Sequence, residues 1–374
     1  MDTRLSRFAR AQCPRLVVKI GSALLVEKDG QLRRDWLASV LDDIAALHKA
    51  GQQVVIVSSG AIALGAKRMQ LPKGGRASLE DAQASAAVGQ IYLSQVYAEL
   101  LAERGLGAAQ LLLTLDDLEN RRRYLNVAAT LERLLSLGMV PVLNENDTVA
   151  TTEIRFGDND RLAARIAQAA GAQGVVLLSD VDGLYTANPS VDPDAQMIPT
   201  VEDVDAVMKL ADNRSGSGLG SGGMIAKLQA AKIAASAGID LAIAQGHPMH
   251  ALQQFLQTGH GTIFIAPPSF TARKAWLAGR LTVKGRISID AGALKALQQG
   301  KSLLAAGVRA VEGNFQRGDP VDILADGQVV ARGLAAYDVQ DAKRVAGKRS
   351  DVLEEILGYA PRSAFIHRDH LVML

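Results

Sequence analysis

The stretch QVVIVSSGAIALG (53–65) holds the fold in miniature. Val54 to Val57 are β-branched and apolar, as a buried strand requires, and Ser58, Ser59 and Gly60 then break the run before Ala61 opens a helical pattern. A strand that ends in small residues and enters a helix at once exposes backbone N–H groups at the helix N-terminus, where phosphate or carboxylate binds. A tight β–α turn that merely needs small residues has the same sequence. The unit recurs on either side. RLVVKIG (15–21) reads as a strand and 35–50 as a helix, with Leu37, Leu41, Ile44 and Leu47 on one face. A long Ala-rich helix is expected over 79–104, a strand at AAQLLLT (108–114) and a helix over 120–137. MVPVLNEND (139–147), GVVLLSD (174–180) and IDLAIAQG (239–246) are further strands, the last of these closing the series. Strands alternating with helices predict an α/β fold, a mostly parallel sheet sandwiched by helices, with ligands at the carboxyl ends of the strands.

The pattern breaks at 266–284, a linker with two prolines and no periodicity. The tail, 285–374, is rich in glycine and short strands (VRAVEG, DPVDIL, QVVARGL and FIHRD), with helical spacing over 290–298 and 350–357. The predicted organisation is an N-terminal extension (1–14), a catalytic domain (15–265), the linker, and a small β-rich domain. At 374 residues, two domains are the default expectation. Lys and Arg total 41 against 39 Asp and Glu, a net charge of +2 that gives no push toward nucleic acid or membrane. Cys13 is the only cysteine, which points to a reducing compartment, and no apolar run spans a bilayer, so a soluble cytoplasmic protein is expected. The start, MDTRLSRFARAQCPR, lacks a secretory apolar stretch. It reads as a frayed basic extension, with a transit peptide as the alternative.

No GxxxxGK[ST] loop, HExxH or GxSxG is present, and the one GxGxxG match (Gly218, Gly220, Gly223) follows no obvious strand. Four other features bear on chemistry. Lys19 falls within a strand that otherwise reads as buried; it either reaches solvent at the strand end or meets an anionic partner. Ser59 lies in the small-residue break. NENDTVATTEIRFGDNDRLAA (144–164) gathers Asn144, Glu145, Asn146, Asp147, Asp158, Asn159 and Asp160, more than one helix cap needs. SGSGLGSGGMIAK (215–227) runs from a glycine-rich loop into a helix with Lys227 in its first turns, an arrangement suited to phosphate. His247, His250 and His260 show no metal-ligand spacing on one element, and no metal site is expected. Together these parts describe phosphoryl transfer by positioning and charge stabilisation.

VVKIGSALL, VIVSSGAIALG, AAVGQ (86–90), VLNENDTVAT, FGDNDRLAA, LLSDVDGLYTANP (177–189) and GSGLGSGGMIAKLQAA (216–231) resemble, in order, the glutamate 5-kinases of the amino-acid kinase family. The tail, through SLLAAGVRAVEGNFQRGDPV (302–321), resembles a PUA domain. The resemblance implies ATP-dependent phosphorylation of glutamate, the first step of proline synthesis, with Mg²⁺ accompanying the nucleotide. It implies Lys19, Lys227 and Asp160 as catalytic residues, the carboxylate holding both lysines. Ser59, Asn144, Asp147 and Asn159 would bind glutamate. Lys19, Ser179, Asp180, Ser221, Gly222, Gly223, Met224, Ile225, Ala226 and Lys227 would contact ATP. Feedback inhibition by proline and a homo-oligomer are implied as well. Ala82 stands where the family often has Lys or another polar residue, and Ser179 and Ser221 where Thr is common. The competing expectations are another small-acid kinase of this fold, for acetylglutamate or aspartate, and an RNA-binding protein acting through the tail. Residues 285–374 carry 12 Lys/Arg against 11 Asp/Glu, a weak basis for RNA.

Overall fold

The computed structural model describes residues 4–27, 29–149, 158–213, 222–267, 283–362 and 364–374. The linker's core and most of the glycine-rich loop, Ser221 included, lie outside these ranges. The chain divides into two compact units, Met1–Ser269 and Phe270–Leu374.

The first unit is built on eight strands: β1 (Arg15–Ile20), β2 (Gln53–Val57), β3 (Gly107–Leu113), β4 (Met139–Glu145), β5 (Gly174–Ser179), β6 (Thr200–Val201), β7 (Asp240–Gln245) and β8 (Thr262–Phe264). Their order across the sheet is β3-β4-β2-β1-β5-β7-β8-β6. All neighbours pair in parallel except β7 and β8. β7 is therefore not the last strand of the series; two- and three-residue strands extend the sheet, and such short segments have no periodicity to read. From β1 the chain winds first toward β2 and β4, then returns to place β5 on the other side. The order reverses at β1, which makes the carboxyl ends of β1 and β5 a topological switch point, where a crevice opens for ligands.

Helices cover both faces. They are α1 (Ser22–Leu25), α2 (Arg34–Lys49), α3 (Ala61–Met69), α4 (Leu79–Ala102), α5 (Leu115–Glu119), α6 (Arg121–Ser136), α7 (Asp158–Ala170), α8 (Val204–Asn213), α9 (Gly222–Ser236) and α10 (Ala251–Thr258). Strand alternation sorts the side chains. Leu16, Val18 and Ile20 of β1 join one core with Leu37 and Leu41 of α2 and Phe255 of α10. Val17, Val55, Val57, Val175 and Leu177 join the other with Ala163, Ala167 and Ala231 of α7 and α9. Lys19 has the parity of Val17, so its side chain leaves the sheet on the α7–α9 face.

The N-terminal extension is packed where fraying was expected. Leu5, Phe8 and Cys13 are buried, and Phe8 meets Phe255 edge-on at 5.6 Å between ring centroids. Gln52 donates from Nε2 to the carbonyls of Phe8 (2.9 Å) and Cys13 (2.6 Å). Arg7 pairs with Asp240 at 2.8 Å. The arginines masked three apolar side chains that together plug the amino end of the sheet, burial that only tertiary context decides.

The second unit holds a five-stranded sheet, ordered Val308–Gly313, β9 (Gly285–Ile289), Pro320–Ala325, Gln328–Leu334 and Leu371–Met373. FIHRD (365–369) is not a strand: Ile366 makes one bridge to Leu303, and the strand comes after it. The unit has its own core, with Ile287, Val321, Ile323 and Phe365 fully or almost fully buried.

Candidate active site

β1 delivers Lys19 to the switch point, α7 supplies Asp160 and α9 supplies Lys227. Asp160 lies three and four residues before the buried Ala163 and Ala164, so helical phase turns it inward. Lys19 Nζ is 2.5 Å from Asp160 Oδ1 and Lys227 Nζ donates to Oδ2 at 3.0 Å. Asp160 is 1% exposed and each lysine 7%. Burial alone would raise the Asp160 pKa, but Lys19 and then Lys227 reverse this and hold the carboxyl below its ordinary range. The buried lysine does have an anionic partner, as its burial required. Two ammonium groups share one carboxylate, leaving a desolvated surplus positive charge in a crevice. An arrangement of this kind favours an anion and, above all, an anion whose charge grows during reaction.

Beside the triad lies a set of amides. β2 is followed by Ser58, whose N–H donates to Leu143 O, and Ser59 Oγ donates to Ile20 O at 2.6 Å, tying the turn to β1. Gly60 then takes φ +94°, a conformation that a side chain would oppose, and α3 begins. Asn144, at the end of β4, is 2% exposed. Asn159 Nδ2 donates to Asn144 Oδ1 at 3.2 Å and to Ser58 O at 3.1 Å. Asp147 follows β4 on a 3₁₀ turn, Asp147–Val149, and is 8% exposed, whereas Glu145 is partly exposed. Arg76 stands within electrostatic range of Asp147.

On the other side of β1, Ser179 closes β5 and is buried. Its Oγ donates to Oδ1 of the exposed Asp180 at 3.0 Å. α9 starts at Gly222 and Gly223, with Ala226 buried, Met224 partly buried and Ile225 42% exposed.

The sequence-predicted residues thus fall into a triad in direct contact (Lys19, Asp160, Lys227), an amide group in direct contact (Asn144, Asn159), and Ser59, Ser179 and Asp180 at the ends of β2 and β5, the two strands that flank β1. Three participants were given no role by the sequence: Gln90, whose Oε1 accepts from Asn144 Nδ2 at 2.8 Å; Tyr97, whose hydroxyl is 3.0 Å from Ser58 Oγ; and Arg76. Gln90 and Tyr97 belong to α4, which lies against α3 through Gly65 and Gly89. A Cβ on either glycine would strike the other helix's backbone, at Ser85 O or Ala61 O. The Gly89-Gln90 pair was the available signal, since a glycine inside a helix marks close approach.

Residues 14–245 match the model of the amino acid kinase family and residues 285–357 that of the PUA domain. Curated relatives named glutamate 5-kinase are similar along nearly the whole chain. The protein from Zymomonas mobilis subsp. mobilis is 61% identical over 98% of this chain and 93% of that one. That from Sphingopyxis alaskensis is 61% identical, over 99% and 100%, and that from Novosphingobium aromaticivorans 57%, over 100% and 99%. Among solved structures, a UMP kinase from Bacillus anthracis is similar at TM-score 0.46 and 14% identity, covering 68% of this chain and 96% of that one. With a family model spanning more than half of its length and relatives this similar from end to end, the chain belongs to the amino acid kinase family.

Proposed function

We propose that this protein transfers the γ-phosphoryl group of ATP to the side-chain carboxylate of L-glutamate, giving glutamyl 5-phosphate and ADP, the first step of proline biosynthesis. The buried Lys19–Asp160–Lys227 triad at the switch point is the observation that carries the chemistry. The glutamate 5-kinase name of its relatives supports the choice of substrate. A carboxylate oxygen of glutamate attacks the γ-phosphorus in line. The bond from phosphorus to the β–γ bridging oxygen breaks, and ADP leaves with the electron pair. Lys19 and Lys227 neutralise the oxygens of the phosphoryl group in flight. Asp160 keeps both ammonium groups in place and is itself not consumed.

Ser59, Asn144, Asp147 and Asn159 would hold glutamate, with Asp147 as counter-charge to the α-ammonium. Ser179, Asp180 and the segment 221–227 would hold the nucleotide, helped by backbone N–H groups at the start of α9. Both oxygens of Asp160 are engaged by ammonium groups, so this carboxylate does not fit a metal. Mg²⁺ is proposed to arrive on the nucleotide's own phosphates, where it would screen their charge, and no residue is assigned to it.

Feedback by proline, a homo-oligomeric state and a cytoplasmic location are part of the same proposal. Among the described residues no helix is long and apolar enough to cross a membrane. RNA binding by the second unit has only its PUA match behind it, and its near-neutral charge does not favour it. The test is an assay with Mg·ATP and L-glutamate, read as ADP release and as hydroxamate trapped by hydroxylamine. Turnover with glutamate, and strong rejection of N-acetylglutamate, is expected. Turnover with acetylglutamate or aspartate but none with glutamate would overturn the assignment.

A further inference from the structure

A chain of three side-chain amides runs from α4 into the site. Asn144 Nδ2 donates to Gln90 Oε1 at 2.8 Å. Asn144 Oδ1 accepts from the Glu145 backbone N–H at 2.9 Å and from Asn159 Nδ2 at 3.2 Å. Asn159 Nδ2 also donates to the Ser58 carbonyl at 3.1 Å. A peptide N–H only donates and a peptide carbonyl only accepts, so Glu145 and Ser58 fix which end of each asparagine amide is oxygen.

Two consequences follow from these polarities. Asn144 must turn its NH₂ toward α4, so position 90 must present an acceptor. Asn159 must keep its oxygen away from Ser58 and Asn144. That oxygen is buried and accepts no hydrogen bond among the described residues. A buried carbonyl oxygen without a donor is costly, and the cost is relieved when a ligand supplies one. Glutamate at neutral pH has two carboxylates and one ammonium, and only the ammonium donates.

We infer that Gln90 is a positioning residue for the substrate amine: through Asn144 it holds Asn159 Oδ1 ready to accept from the α-ammonium of the bound amino acid. α4 grips the network at both ends. Gln90 takes one end, and Tyr97, bonded to Ser58 Oγ, steadies the residue whose carbonyl orients Asn159. The backbone contact of α4 with α3 at Gly65 and Gly89 makes that grip rigid. The inference rests on the glutamate-kinase reading and adds a specificity determinant that acts without touching substrate.

The test compares wild type with Gln90→Met, which keeps the length of the side chain but has no acceptor oxygen, and with Gln90→Glu, which keeps the oxygen. Thermal denaturation checks that each is folded, and Gln90→Ala replaces Gln90→Met if the latter does not fold. The readouts are KM for glutamate, KM for ATP, kcat, and inhibition by glutarate, the same dicarboxylate without the amine. Calorimetric binding of both acids runs alongside. Gln90→Met should raise KM for glutamate by about 10- to 100-fold, the range of a hydrogen bond to a charged group. KM for ATP, kcat and the glutarate Ki should move little, so discrimination between the two acids shrinks by the same factor. Gln90→Glu should stay within about threefold of wild type, far below the loss expected for a charged hydrogen bond. Equal losses for glutamate and glutarate, or for glutamate and ATP, would reduce Gln90 to a packing residue. A Gln90→Glu variant as impaired as Gln90→Met would place the Gln90 NH₂ against the ligand and overturn the positioning role. Wild type that binds neither acid overturns the inference together with the reading beneath it. Wild type that binds glutamate, with Gln90→Met binding it equally, overturns the inference alone.

Discussion

The two ends of the eight-stranded sheet are both rich in buried polar groups, and they treat them differently. At the amino end the partners balance. Asp240 takes Arg7 at 2.8 Å and the Ala266 N–H at 2.8 Å. Arg15 is shared among Gln53, the Ala170 carbonyl and Glu132, and Gln52 spans two carbonyls of the N-terminal extension. At the carboxyl end the account stays open. Two ammonium groups face one carboxylate, and an amide oxygen in the same neighbourhood has no donor among the described residues. Balanced polar groups hold a fold together. An imbalance kept under burial is tolerated because a ligand completes it. The amino end should therefore report on stability alone, and the carboxyl end on function more than on stability.

The sharpest way to break that contrast is Phe8→Ala. Phe8 is fully buried against Phe255, and its loss should cost about 3–5 kcal/mol of stability. The midpoint of chemical denaturation reads this. KM for both substrates should stay put in the folded fraction, and a selective rise in KM for glutamate would show that the two ends communicate.

Next in size is Lys227→Met, which keeps the aliphatic stem and removes the charge. It should lower kcat by about 10²–10³, or ~3–4 kcal/mol of transition-state stabilisation. It also leaves Lys19 and Asp160 as a matched pair, so the melting temperature should hold or rise, the opposite of Phe8→Ala. The acid limb supplies a second readout. The Asp160 carboxyl is held below its ordinary range, so its contribution to stability is fully present above the unfolded value near pH ~4 and is lost as pH falls through the lower folded value. With one lysine removed the depression is smaller, and the loss of stability below about pH 4 should be shallower than in wild type. A steeper acid limb would mean that Lys227 does not stabilise the charged carboxylate.

The same contrast explains what could be read from the sequence. The β-branched runs that end in polar residues gave β1, β2, β4 and β5 and their carboxyl-end crevice, because burial on both faces imposes a continuous apolar run. Lys19 stood out because an ammonium in such a run has to be neutralised. Its partner was less visible. Asp158, Asn159 and Asp160 are adjacent, and only the phase set by Ala163 and Ala164 picks out Asp160. Gln90 was hidden for a different reason. It meets Asn144 across 54 residues of sequence, and no local pattern says which amide of one helix meets which amide of a distant strand. The plug at the amino end was misread because Leu5, Phe8 and Cys13 are spaced among arginines with no regular period, and their burial depends on a floor that other strands provide. β6 and β8 were missed because two or three residues define no period at all.

The smallest effect expected is a near absence of reaction at Cys13. Its thiol is buried, and desolvation outweighs the help of Gln52 to push its pKa up to about 12. Alkylation needs the thiolate, which at pH 8 would be on the order of one part in 10⁴ even if the reagent could reach it. Iodoacetamide should therefore label native protein only through molecules that have opened at the amino end, with a rate that follows the opening equilibrium. The sites proposed for glutamate and ATP lie at the far end of the sheet. If opening at Cys13 is local, saturating both substrates should leave the labelling rate unchanged, whereas Phe8→Ala should raise it strongly. If opening is global, the substrates should slow labelling in proportion to the stability that they add. Substrate protection would thus join the amino end to the cooperative unit of the active site. Its absence would make the plug a separately opening element, balanced in its own polar contacts and independent of the charge held open at the other end.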